Sequence, residues 1–126
     1  MRQIKYIIID NSGQKGRESH YCINSKGAVS EETDIRKAVK VIDRKVDPDG
    51  YNANSVVVSI GFRFHDSGSM KCGTWILEQR SALIDLLVEL RSHFPEAKIL
   101  GIREIGDYFI KVSDEMNALR LELSNI

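Results

Sequence analysis

Asp10, Ser12, Ser19 and His20 fall close together near the N-terminus. They supply the residue types of a hydrolytic triad: a hydroxyl nucleophile, an imidazole base and a carboxylate to orient it. The strained strand-to-helix turn that presents such a serine is missing, because no G-x-S-x-G occurs. Gly13-Gln14-Lys15-Gly16 follows a strand-like run as a phosphate loop would, but no Gly-Lys-Ser/Thr completes the Walker spacing, and a plain turn suffices. Asn52 and Asn54 stand before an apolar run, where asparagine serves equally as a ligand contact or as a turn former. His65 lies in a Gly/Ser-rich loop. His93 sits where an imidazole favours a helix C-terminus. Cys22 and Cys72 form no CxxC pair and read as free thiols.

The elements that must position these residues follow from hydrophobic period. Residues 4–10 are rich in β-branched side chains and run into Asn-Ser-Gly, a buried strand ending in a turn. Residues 19–25 alternate, Lys26-Gly27 supplies a hairpin turn, and Ala28-Val29 starts the return strand. Residues 31–45 are ambiguous: Ile35, Ala38, Val39 and Ile42 have helical spacing, while Val39 and Val41 alternate as in a strand. Pro48-Asp49-Gly50 marks a turn. Residues 55–61, with consecutive valines, form a central strand buried on both faces. Residues 78–94 repeat leucine at three and four positions and stop at Pro95, the pattern of an amphipathic helix. A short strand at 98–102 and a last helix after Ser113, with Met116, Leu119 and Leu123 on its apolar face, complete the chain. Strands followed by helix, strand and helix predict an α/β domain with one mixed sheet flanked by helices.

The 126 residues suit one domain, and 42% hydrophobic with 29% charged residues is globular composition. Basic and acidic residues balance at 18 each, which argues against a nucleic-acid partner. The cluster Arg36, Lys37, Lys40, Arg44 and Lys45 is interspersed with acids and reads as a solvated face. No apolar run is long enough to span a membrane, and the start of the chain lacks the layout of a signal peptide. The expected location is cytoplasmic, with no membrane partner.

Four pieces of the chain, in order, resemble the type-2 N-acetylmuramoyl-L-alanine amidases and peptidoglycan-recognition proteins. Ile8-Ile9-Asp10-Asn11-Ser12 stands where that family has I-I-H-C-S. Ser19-His20-Tyr21-Cys22-Ile23 with Gly27-Ala28-Val29 matches its Y-H-F-x-I-x-x-x-G-x-V hairpin. Gly50-Tyr51-Asn52-Ala53-Asn54-Ser55-Val56 is similar to G-x-N-x-N-S-I. Gly101-Ile102-Arg103-Glu104 occupies the place of G-H-R-D. The resemblance implies a mixed sheet with a catalytic zinc at one end, held by the two histidines and by a Cys or Asp in the following loop. Here those positions are Asp10, Ile102 and the neighbourhood of Asp107 and Tyr108. Ser19 replaces an assisting tyrosine, and Asp47 replaces a histidine before G-x-N. Aliphatic Ile102 cannot ligate, and carboxylates alone make a poor zinc site. The expectation is therefore no metal cofactor, with His20 as the nearest imidazole for a relocated site.

The leading expectation is a non-catalytic amidase-like domain that takes a peptidoglycan fragment or related peptide beside Asp10, Ser19, His20, Asp47, Asn52, Asn54, Arg103 and Glu104. That groove requires the turns at 10–12 and 50–54 to meet at one sheet edge. Arg103 would either serve the ligand there or pair internally with Asp10 or Glu104. The alternatives are a divergent amidase and an interaction module with a closed groove.

Overall fold

A computed structural model describes residues 2–11, 17–43, 46–61, 76–105 and 114–126. Its strands are β1 (Tyr6–Asp10), β2 (Tyr21–Ile23), β3 (Val29–Glu31), β4 (Ser55–Ile60) and β5 (Lys98–Gly101). Its helices are the one-turn α1 (Tyr51–Asn54), α2 (Leu77–His93) and α3 (Asp114–Ser124), with a single 3-10 turn at Ile102–Glu104. The strands form one five-stranded sheet in the order β3-β2-β4-β1-β5. β1 pairs parallel with β4 and β5, β2 pairs parallel with β4, and β3 is the antiparallel edge. This is the mixed sheet with flanking helices that the hydrophobic pattern predicts.

Alternation along the strands divides the core. Ile7, Ile9, Ile23, Val56, Val58 and Ile60 face Leu83, Leu86, Leu87 and Leu90 of α2 and Met116, Leu119 and Leu123 of α3. Ile8 and Val57 point to the other face, where they pack with Val39, Val41 and Ile105. Gln79 joins the start of α2 to the sheet. Its Oε1 accepts from Ile76 N–H, and its Nε2 donates to the carbonyls of Asn24 and Gly61. In the hairpin turn Gly27 has φ 89°, and a Cβ there would lie 2.9 Å from the Glu78 carbonyl oxygen, so both backbone and space require glycine. No helix among the described residues is long and apolar enough to cross a membrane.

Residues 31–45 depart from both sequence expectations. Beyond β3, the described part of this stretch is neither helix nor strand. Val39 and Val41 are buried, so the period-2 pair marks the inward side chains, but an irregular strap carries them. The residues 62–75 and 106–113, with His65, Cys72 and Ser113, lie outside the described residues.

Leu87 is fully buried between sheet and helix. Leu87→Ala should lower unfolding free energy by about 2–5 kcal/mol in urea titration. A change within about 0.5 kcal/mol, the range of surface substitutions, would reject this core.

Candidate functional site

The strands β2, β4, β1 and β5 all run the same way, so their carboxyl ends gather at one edge of the sheet, where open α/β sheets bind ligands. The register aligns Asp10 of β1 with Ser59 of β4, Ser59 with Cys22 of β2, and Cys22 with Ser30 of β3. By alternation these side chains share the face opposite α2, forming a polar row beyond the apolar Ile8 and Val57.

Asp10 is only 4% exposed, and Oδ2 accepts from Arg17 Nε at 2.7 Å. A buried carboxylate requires such a counter-charge. Arg17 is 28% exposed and also donates to the Val41 carbonyl. Ser19 is buried, with its Oγ 3.1 Å from Ser59 Oγ. Two shallow depressions flank Arg17 and Glu18. One, of about 370 Å³, is lined further by Ser19, Cys22, Glu32, Thr33 and Ser59. The other, of about 310 Å³, is lined by Lys40, Val41, Ile42 and Asp43. Strap residues therefore wall both.

The expected meeting of the turns 10–12 and 50–54 is overturned by the parallel register. Tyr6 is level with Ser55 and Asp10 with Ser59, so residues 50–54 lie at the opposite end of the sheet from Asp10. The separation is roughly 13 Å along the strand at about 3.3 Å per residue. The residues there hold backbone instead. Asp47 caps α1, with Oδ1 accepting from Tyr51 N–H at 3.0 Å and Oδ2 from Asn52 N–H at 2.8 Å. Asn52 Oδ1 accepts from Val41 N–H at 2.6 Å and Ile42 N–H at 2.9 Å, while Nδ2 donates to the Ile42 carbonyl. Asn54 Nδ2 donates to the Gln3 carbonyl at 2.9 Å.

His20 is corrected in the same way. It is fully buried; Val57 N–H donates to Nδ1 at 2.9 Å, and Nε2 lies 2.7 Å from the Lys37 carbonyl. Both ring nitrogens are committed to backbone, leaving no lone pair for a relocated metal.

At the carboxyl end of β5, Glu104 Oε1 accepts from Gly101 N–H and from Arg120, and Oε2 accepts from Arg120 at 3.1 Å. Burial raises the Glu104 pKa, but these donors outweigh it and hold the carboxyl below its ordinary value. Arg103 pairs with neither Asp10 nor Glu104, whose charges are met by Arg17 and Arg120. Ile102 packs against the cluster of Ile8, Val39, Val41, Val57 and Ile105.

These donors do not fit a catalytic zinc. Asp10 is held by a guanidinium, Ile102 is part of the apolar core, and Asp107 and Tyr108 lie outside the described residues. No group of three His, Cys, Asp or Glu able to hold a metal ion occurs among the described residues.

The chain is similar in fold to solved peptidoglycan amidases. One is the N-acetylmuramoyl-L-alanine amidase LysC from Clostridium intestinale URNW, with TM-score 0.67 and 11% identity over 97% of this chain and 87% of that one. Another is the endolysine N-acetylmuramoyl-L-alanine amidase LysCS from the same organism, with TM-score 0.67 and 11% identity over 97% and 85%. No protein-family model matches the chain, and no curated protein matches it. At this identity the likeness establishes the fold.

Sequence reasoning missed Arg17, which carries no motif and lies beyond a loop from the carboxylate it meets. It also missed Ser59, although the alternation of Ser55, Val57 and Ser59 puts a hydroxyl on the ligand-facing side of the central strand.

Asn52→Ala should cost about 1–3 kcal/mol, because it strips partners from a buried strap. Asn54→Ala, which loses one exposed bond, should cost about 0.5–1.5 kcal/mol or less. Urea midpoints in the reverse order would reject the anchoring role of Asn52.

Proposed function

We propose that this chain is a non-catalytic amidase-fold domain that binds a peptidoglycan fragment or a related peptide at the carboxyl ends of its strands. The observation that carries the reading is the substitution of the metal position by an ion pair and hydrocarbon: Arg17 lies on Asp10, and Ile102 is packed into the core. Without a metal-bound water, no polarising group is left for amide hydrolysis by that route. The amidase fold supports a wall fragment as ligand, since the similar solved structures are named for cleaving N-acetylmuramoyl-L-alanine.

Arg103 supplies the chemistry of recognition. It is half-buried beside the carboxyl end of β5, and no hydrogen bond or ion pair engages its guanidinium among the described residues. Its planar fork suits a peptide or lactyl carboxylate. The strap tied across the same face favours a second reading, an interaction module whose groove stays closed.

Metal analysis of protein purified without chelator should find zinc well below stoichiometric, and muropeptides should remain uncut. Stoichiometric zinc with cleavage would overturn the non-catalytic reading. On titration with muropeptides, backbone NMR shifts should cluster at residues 10–11 and 101–104, spare 50–54, and vanish in Arg103→Ala while the fold persists. No shifts at millimolar ligand would leave the interaction module as the account.

A further inference from the structure

The residues 32–42 have no regular secondary structure, yet they lie on an apolar sheet face and their backbone is tied down by side chains from elsewhere. At one end of the strap the tie is His20. Val57 N–H can only donate, so Nδ1 of His20 is the acceptor and carries no proton. Nε2 then bears the ring proton and donates it to the Lys37 carbonyl. The imidazole is neutral, and both of its hydrogen bonds depend on that state.

A second proton has no place here. On Nδ1 it would face the Val57 N–H at 2.9 Å, donor against donor. The new charge would also lie beside Arg2, whose Nη2 is 2.9 Å from Nε2. Arg2 is itself fixed by the carbonyls of Ile35, Ala53 and Ser55. The charged groups acting on the ring are Arg2 from the N-terminal segment and Asp34 from the strap, while β4 offers only the Val57 N–H and the Ser55 carbonyl. Asp34 stays ionised in this pH range because hydrogen bonds from Arg36 hold its carboxyl well below the usual carboxylate value. Burial, then Arg2, press the imidazole pKa below that of a free histidine, against the opposing pull of the Lys37 carbonyl and Asp34.

We propose that His20 is an acid-release latch for the strap: a proton taken from solvent at Nδ1 breaks the Val57 bond, frees residues 32–42, and joins the two depressions beside Arg17 into one open groove along the sheet. The strap walls both depressions, through Glu32 and Thr33 on one side and Lys40 to Asp43 on the other. Release also withdraws the Val41 carbonyl from Arg17. The latch acts whether or not the groove takes a wall fragment, so its test stands apart from the ligand assignment.

The direction of the pH effect follows from linkage. The closed imidazole has the lowered pKa and the opened one an ordinary value of about 6.5, so the opened state binds the proton first. Closure is complete above that value and is lost as pH falls below it. Between pH 7.5 and 5.5 the opening constant should rise about tenfold.

Amide hydrogen exchange followed by NMR at both pH values, corrected for the intrinsic rates, reads this directly. Val41 and Ile42, bonded to Asn52, and Val57, bonded to His20, should lose about tenfold in protection. They should remain far less protected than Leu87 and Leu90 of α2, and low urea should leave their exchange unchanged, since a local release exposes little surface. The His20→Asn variant should keep the weak strap protection and lose its pH dependence. If that variant does not fold, the wild-type measurement still decides. Strap protection that is independent of pH, or that equals that of α2 at both pH values, would overturn the latch.

Discussion

A peptide segment without helix or strand cannot lie on an apolar surface unless something outside it satisfies its backbone. That constraint governs the face of the sheet opposite α2. Burial of Val39 and Val41 draws the strap onto Ile8 and Val57, and the polar groups carried in with them must be met. Glu18 takes the N–H of Lys40, Asn52 takes those of Val41 and Ile42, Arg17 supplies the Val41 carbonyl, His20 that of Lys37, and Arg2 that of Ile35. These anchors come from the N-terminal segment, the approach to β2 and α1. The strap therefore ties together pieces that the sheet ladder alone does not connect.

This demand explains why so many chemically capable residues do no visible chemistry. Histidine, asparagine and aspartate suit a site because they donate or accept at defined angles, and the same property makes them good caps for stranded backbone. Asp47 caps α1, Asn52 clamps the strap and His20 replaces a ladder partner for Val57. Gly50, with φ 74°, lets the chain turn into α1 so that Asn52 can reach. What remains at the carboxyl ends of the strands is a smaller set: the Asp10–Arg17 pair, the Ser19–Ser59 hydroxyls and Arg103.

The parts legible in the sequence are those whose signal is local. β1, β4 and α2 announce themselves through isoleucine, valine and leucine period, and burial in the structure follows that period residue by residue. The four motif fragments also point to the right fold, although 11% identity leaves little else of the amidase sequence. Strand direction was not legible. Nothing within residues 4–10 or 55–61 tells whether the two strands run parallel, and that one fact moves Asn52 and Asn54 to the far end of the sheet from Asp10. The strap was hidden for a different reason. Its hydrogen bonds join residues far apart in sequence, such as Arg2 with Ile35 and His20 with Lys37, and no window of neighbours contains both partners. Alternation identified Val39 and Val41 as inward but could not say that they lack a strand partner.

The Asp10–Arg17 pair bears on how an amidase fold can persist without its metal. The resemblance places a metal ligand at position 10, where an ion would supply positive charge at the end of the sheet. In this chain Arg17 lies on the carboxylate instead, so that end of the sheet keeps a cation against its buried acid. The replacement is coupled. A histidine at position 10 would face a guanidinium rather than a metal, and two cations or donors at 2.7 Å repel. Restoring one ligand alone therefore worsens the site. Ile102 is locked in by a separate force, since a histidine there would carry polar nitrogens into the cluster of Ile8, Val57 and Ile105. Metal binding would have to be regained through Asp10, Arg17 and Ile102 together, with the strap moved to admit the ion. The packing of this face thus separates the chain from the amidases it resembles by several interdependent substitutions rather than by the loss of single ligands.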